Sequence, residues 1–248
     1  MKLSKTDLRF LLVEDNELNQ ELIKAILEDS KVDIVTANNG KEAIALLMEE
    51  GKFDLILMDI HMPVMDGLEA TKIIKSIDSY KNIPVVALSA DSSEASDTKI
   101  KGARFDAYVM KPINVERFFE TISSLLGSDG CASGVFDVGE STFLSSATHI
   151  NSAVGKAYML DNPEMYEEMI RKYFARYEDF ENRSRELFKL GGEEFKNLIH
   201  SFKGLSATIG AKELSARALK LEKEPSIENL EFMLEELRSV MDEIREAL

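Results

Sequence analysis

Leu55-Ile56-Leu57-Met58-Asp59-Ile60-His61-Met62-Pro63-Val64-Met65-Asp66-Gly67 is a short apolar run that stops on an acid and passes into a turn. The same thing happens earlier, where Phe10-Leu11-Leu12-Val13 runs into Glu14 and Asp15. Runs this brief and this uniformly apolar read as parallel strands covered on both faces. Their acids would then meet at neighbouring strand tips. Three carboxylates in one place repel one another unless a divalent cation or a lysine sits among them. Lys111, after the short strand Ala107–Met110 and before Pro112, is available for that role. The pattern predicts a magnesium-dependent aspartate, Asp59, that accepts a phosphoryl group.

Outward from Asp59, strand and helix signals alternate. Strands are expected at Arg9–Val13, Val32–Ala37, Leu55–Met58, Pro84–Leu88 and Ala107–Met110. Between and after them, helical spacing of apolar residues marks Glu17–Glu28, Lys41–Glu50, Leu68–Ser76, Glu94–Lys101 and Val115–Leu126. Five such units in succession imply an α/β doubly wound, five-stranded parallel sheet. In that architecture the site lies beyond the carboxyl ends of the strands, at the switch in strand order. Glu14, Asp15, Asp59, Ser89 and Lys111 all fall at those ends.

Residues 128–149 change character, with Gly-Ser-Asp-Gly, Ala-Ser-Gly and Ser-Ser-Ala-Thr among scattered apolar residues. They read as an interdomain linker of about 20 residues, with His149 solvated at its end. From 150 to 248 only helix signals remain. A short helix is expected over Ile150–Leu160. A long one opens at Asn162-Pro163 and continues over Met165–Leu190 to Gly191-Gly192. Further helices are expected over Glu193–Ile209, ended by Gly210, and over Lys212–Lys223. The last starts at Ile227 behind Ser226, with Leu230, Met233, Leu234, Leu237, Val240, Met241 and Ile244 as its buried stripe. An all-α four-helix bundle with up-down topology packs such a series. The domains are therefore 1–127, a linker 128–149, and 150–248.

The 248 residues carry a formal charge of −15, with the acid excess spread over both halves. No basic patch offers itself to phosphate backbones or anionic lipid, which argues against nucleic-acid binding. A single cysteine, Cys131, rules out an intrachain disulfide. The apolar run before Glu14 is too short for a signal peptide, and no stretch approaches the ~20 apolar residues of a membrane span. A cytoplasmic protein without membrane insertion is the expectation.

Residues 8–127 resemble the receiver domain of two-component response regulators, a flavodoxin-like fold. The resemblance rests on Val13-Glu14-Asp15-Asn16, on Met58-Asp59 through Asp66-Gly67, on Ala87-Leu88-Ser89-Ala90 and on Lys111-Pro112. It implies that Asp59 takes the phosphoryl group. Asp15 would bind Mg2+ (or Mn2+) directly, Glu14 through water, and the His61 carbonyl would add a ligand. Ser89 would hydrogen-bond a phosphoryl oxygen and Lys111 would pair with it. Ser89 and Tyr108 resemble the family's switch pair. His61 and Asp91 stand where the family tunes the lifetime of the acyl phosphate, although Asp91 also suits a helix cap before Ser92. A cis bond at Lys111-Pro112 would aim the lysine inward.

His200 lies mid-helix in Leu198-Ile199-His200-Ser201-Phe202-Lys203-Gly204. Lys203 follows three residues on, where its ammonium can reach a phosphate on the imidazole. Gly204 lies on the same face, at a cost of ~1 kcal/mol in helix propensity against alanine. A gap that admits a partner's aspartate would explain it. With Ile209-Gly210-Ala211 downstream, residues 150–248 resemble the histidine phosphotransfer (HPt) domain.

Neither an ATP-binding box nor a Gly-rich phosphate loop is apparent. The expectation is a phosphorelay protein and not an enzyme. An upstream histidine kinase would supply Asp59, and His200 would exchange phosphoryl with a downstream receiver. Two rivals share parts of this pattern. One is a phosphatase of the haloacid dehalogenase type, which wants an acid where His61 stands. The other is a binding module with His200 as a phosphate sink. The C-terminal part of a longer hybrid kinase would also carry both domains.

Overall fold

A computed structural model describes residues 3, 7–89, 102–127, 143–159 and 161–248. They form two compact units whose boundary lies within residues 128–142.

The first unit runs β1 (Arg9–Val13), α1 (Glu17–Leu27), β2 (Asp33–Ala37), α2 (Gly40–Glu50), β3 (Leu55–Asp59), α3 (Gly67–Ser76), β4 (Val85–Ser89), β5 (Ala107–Met110) and α4 (Val115–Leu126). The expected helix over Glu94–Lys101 lies outside the described residues, as does Cys131. The strands form one parallel sheet in the order β2-β1-β3-β4-β5. β3 and β4 are buried at every position, as their apolar sequences require. Along β1 and β3, alternate residues Leu11, Val13, Ile56 and Met58 face one layer, where Ala43 and Leu47 of α2 and Ala70 and Ile74 of α3 meet them. Each of α1 to α4 begins behind a side-chain cap. Asn16, Asn39, Asp66 and Asn114 accept from the N–H of Leu18, Glu42, Glu69 and Arg117 respectively. These caps fix where each helix leaves the strand tip.

The register brings the strand ends together. Val13 pairs with Met58, Asp59 with Leu88 and Ser89 with Met110. Strand order reverses between β1 and β3. The crevice beyond their carboxyl ends therefore lies between Glu14-Asp15 and Asp59.

Among the described residues the second unit contains six helices: α5 (Ser152–Tyr158), α6 (Pro163–Tyr177), α7 (Phe180–Leu190), α8 (Glu193–Thr208), α9 (Lys212–Lys223) and α10 (Ile227–Ala247). Asn162 caps α6 through the N–H groups of Glu164 and Met165, and Ser226 caps α10 through that of Asn229. All seven residues of the expected α10 stripe are buried. The long helix expected over 165–190 is in fact two helices, interrupted at Glu178 and Asp179. Asp179 leaves helical geometry at φ −102°, ψ 16°, and its Oδ1 accepts from Asn182 Nδ2 at 2.6 Å. The buried stripe Tyr173, Tyr177, Phe180, Ser184 runs straight through the interruption, so apolar spacing does not reveal it. The rings of Tyr177 and Phe180 meet Phe202 of α8, Phe180 stacking on it at 4.1 Å. Tyr173 Oη and Ser206 Oγ lie 2.9 Å apart, and Tyr166 Oη donates to the Ile209 carbonyl at 2.9 Å, so the buried hydroxyls are satisfied.

His149, expected to be solvated, is instead half-buried and partnered. Its Nδ1 lies 2.7 Å from Glu236 Oε1, and its N–H and that of Thr148 both donate to Glu243. The segment leading into α5 is thus tied to α10.

Candidate functional site

Glu14 follows β1 and is buried, Asp15 is half-buried, and Asp59 ends β3 and is buried. One carboxylate oxygen from each lies within 4.8 Å of the others, the one group of this kind among the described residues. Lys111 Nζ donates to Glu14 Oε2 at 2.6 Å and to Asp59 Oδ2 at 2.7 Å. Asn19 Nδ2 donates to Glu14 Oε1 at 2.8 Å, and the His61 N–H donates to Asp59 Oδ1 at 3.3 Å. The Glu14 carboxyl is pushed up to about 8, chiefly by burial and further by the Asp59 charge, against the opposing pull of Lys111. Burial disfavours the Lys111 ammonium, but Asp59 and Glu14 outweigh it and hold its pKa above the ordinary lysine value. The lysine is thus the internal counter-ion of a buried carboxylate pair.

Local sequence explains why Asp59 stands where it does. The Gly67 N–H donates to the Ile60 carbonyl at 3.0 Å, and a Cβ on Gly67 would lie 2.0 Å from the Asp59 carbonyl oxygen. Only glycine lets α3 begin directly beneath the end of β3. Three carboxylates converging at strand tips, with hard oxygens only, suit a hard divalent cation such as magnesium. Glu14, Asp15 and Asp59 are the residues that would hold it.

Residues 10–123 match the response regulator receiver domain family. Over 117 residues the chain is 44% identical to the polar-differentiation response regulator DivK of Brucella anthropi, a match covering 47% of this chain and 94% of that protein. The DivK of Brucella ovis is 42% identical over the same coverage. The chain belongs to the response regulator receiver family. Among solved structures, the receiver is similar to the chemotaxis response regulator CheY4 of Vibrio cholerae, at 29% identity, 49% of this chain, 100% of that chain and a TM-score of 0.46. It is also similar to the receiver domain of the sensor histidine kinase PA1611 of Pseudomonas aeruginosa, whose structure has a magnesium ion coordinated in the active site cleft. That match has 28% identity, 49% and 98% coverage, and a TM-score of 0.45. Aspartate phosphorylation is typical of the family. The family match ends at residue 123, and the six-helix unit lies outside it.

The remaining receiver residues singled out in the sequence take these places. Ser89 is buried at the end of β4, and its carbonyl accepts the Lys111 N–H at 2.6 Å. Tyr108 is half-buried on β5, packed near Ile60 and Ala87 and edge-on to Phe105 at 5.7 Å. The Lys111-Pro112 bond is cis. The His61 side chain is exposed. Asp91 lies outside the described residues.

In the helical unit His200 and Lys203 share the face of α8 that meets α9. There a residue absent from the sequence reading joins them. Glu222 Oε1 lies 2.6 Å from His200 Nδ1, and Lys203 Nζ donates to Glu222 Oε2 at 2.6 Å. Lys203 is 8% exposed and the His200 side chain 15%. Burial pushes the Glu222 carboxyl up, but the bonds from His200 and Lys203 outweigh it and hold it at about 2. Nothing local in Lys220-Leu221-Glu222-Lys223 marks the glutamate, which looks like a solvated charge. The usable signal is symmetry: Glu222 and His200 stand equally far from Ala211, at the turn of the α8–α9 hairpin. A Cβ on Gly204 would meet nothing within 4 Å. Packing inside the bundle therefore does not require the glycine.

Proposed function

We propose that this chain is a phosphorelay protein, a receiver (1–127) joined by a linker (128–149) to a histidine phosphotransfer domain (150–248). Asp59 takes a phosphoryl group from the phosphohistidine of an upstream histidine kinase, the partner that a receiver implies. Asp15 and Asp59, with the His61 carbonyl, would ligate magnesium (or manganese), and Glu14 would hold it through water. The cation, when bound, supplies positive charge for the equatorial phosphoryl oxygens. Lys111 leaves the carboxylates to pair with one of those oxygens, and Ser89 donates to another. Ser89 moving toward the phosphoryl group opens space for Tyr108, which makes the pair a switch. His61 and Asp91 set the lifetime of the acyl phosphate. No catalytic turnover of a small substrate is required of the chain, and no helix among the described residues is long and apolar enough to cross a membrane. A cytoplasmic location suits this role.

The second phosphoryl site is His200, which exchanges with a receiver, in this molecule or another. The observation that supports it most is the His200–Glu222–Lys203 cluster beside the side-chain-free flank of Gly204. A structural histidine needs no such flank, and the glycine costs the helix ~1 kcal/mol that no internal contact recovers.

The test is incubation with acetyl phosphate and magnesium, an alkaline quench that destroys acyl phosphate, and location of the surviving label by mass spectrometry. His200 should carry it. Gly204→Ala should unfold at a slightly higher temperature yet label more slowly. A wild-type protein with no base-stable label would reduce the reading to a receiver with a helical binding module.

A further inference from the structure

We propose that Asn19 is a positioning residue that keeps the Glu14 carboxylate in place while Lys111 leaves it for the phosphoryl group, an inference that rests on the receiver reading of Asp59. Among the described residues two side chains donate to that carboxylate. Lys111 Nζ reaches Oε2 at 2.6 Å, and Asn19 Nδ2 reaches Oε1 at 2.8 Å. The lysine is shared with Asp59 Oδ2 at 2.7 Å, so a phosphoryl group arriving on Asp59 competes for it. The carboxamide of Asn19 carries no charge and faces no such competition. It also differs from the lysine toward a divalent cation. An ammonium and a cation repel each other over the same oxygens, whereas a neutral donor orients Glu14 without opposing the cation.

The start of α1 puts Asn19 within reach. Asn16 Oδ1 accepts the Leu18 N–H at 3.0 Å, which fixes the first helical turn directly behind Glu14 and Asp15. Asn19 is the third residue of that helix. Helical side chains tilt toward the N-terminus, so its carboxamide reaches back to the tip of β1. The backbone of Glu14 is pinned independently. Its N–H donates to the Ala37 carbonyl at 3.0 Å, and its carbonyl accepts Gln20 Nε2 at 2.7 Å. What remains free is the direction of the side chain, which Lys111 and Asn19 set together. Once Lys111 has moved, Asn19 sets it alone. Partners of this outer kind fix how an acid presents its lone pairs to a metal site.

Two variants separate this role from simple packing. Asn19→Leu keeps the size of the side chain but cannot donate, and Asn19→Ala removes both size and donor. Both should weaken magnesium binding to the unphosphorylated full chain, measured by calorimetry, by about fivefold or more. Labelling of Asp59 from acetyl phosphate should then need correspondingly more magnesium to reach half its maximal rate. The maximal rate itself should stay within about twofold of wild type, because the groups that touch the phosphoryl are unchanged. An asparagine that served only packing would be replaced by leucine without moving the magnesium requirement. In a crystal grown with beryllofluoride and magnesium, Asn19 Nδ2 should remain within hydrogen-bond distance of Glu14 Oε1 after Lys111 has moved. Wild-type magnesium affinity in Asn19→Leu, or an Asn19 turned away from Glu14 in that crystal, overturns the inference. A wild-type chain that binds no magnesium overturns the receiver reading beneath it.

Discussion

Asp59→Asn should remove phosphoryl label from His200 as well as from its own position when acetyl phosphate and magnesium are supplied. The amide keeps the size of the side chain but has no anionic oxygen to attack phosphorus. Initial label should fall by at least about 100-fold at both positions. The fold should survive. The variant turns one of the two anionic acceptors of Lys111 into a neutral amide but also removes one of two buried, mutually repelling carboxylates, and such offsetting changes leave stability within about 1 kcal/mol. Thermal unfolding alongside the labelling separates lost chemistry from lost structure. If His200 carried the same label in the variant as in wild type, phosphoryl would be reaching it without passing through Asp59.

Lys111→Met should produce the largest change in stability. In the folded receiver the ammonium bridges buried Glu14 and Asp59 at 2.6 and 2.7 Å. Methionine fills much of the volume but leaves the two carboxylates facing each other away from water. Removing one partner of a buried ionic cluster typically costs about 3–5 kcal/mol. The sign of the pH dependence follows from Glu14, whose carboxyl burial already pushes up to about 8. Without the lysine it rises further. A carboxyl whose pKa is higher folded than unfolded binds more protons in the folded state, so acidification stabilises the fold. The loss should therefore be largest in chelator at alkaline pH and smaller near pH 6. Magnesium should restore part of it, because a cation returns the missing charge. Hydrogen exchange of the β1 and β3 amides reads the receiver separately from the helical unit. Equal protection of variant and wild type in chelator would mean that Lys111 does not balance these acids.

Much of the receiver was legible because its physics is local. Uniform apolar runs that end on acids place Glu14, Asp15 and Asp59 at strand tips, and a parallel sheet leaves those tips one place to meet. What escaped depends on partners far along the chain. Glu222 becomes part of a site only through the α8–α9 hairpin. His149 reads as linker because Glu236 and Glu243, which hold it, lie on the last helix. The interruption at Asp179 is silent because Tyr177 and Phe180 keep a spacing that suits an unbroken helix as well as a kinked one.

The central claim is that the acidic crevice of β1 and β3, with a divalent cation, holds a phosphoryl group on Asp59. Beryllofluoride mimics that group without chemistry. A crystal structure of the protein grown with beryllofluoride and magnesium should show it bonded to an Asp59 oxygen, with the cation among Glu14, Asp15 and Asp59 and with Lys111 moved onto a fluorine. Beryllofluoride bound elsewhere, or an Asp59 still held by Lys111 with no cation beside it, would contradict the account.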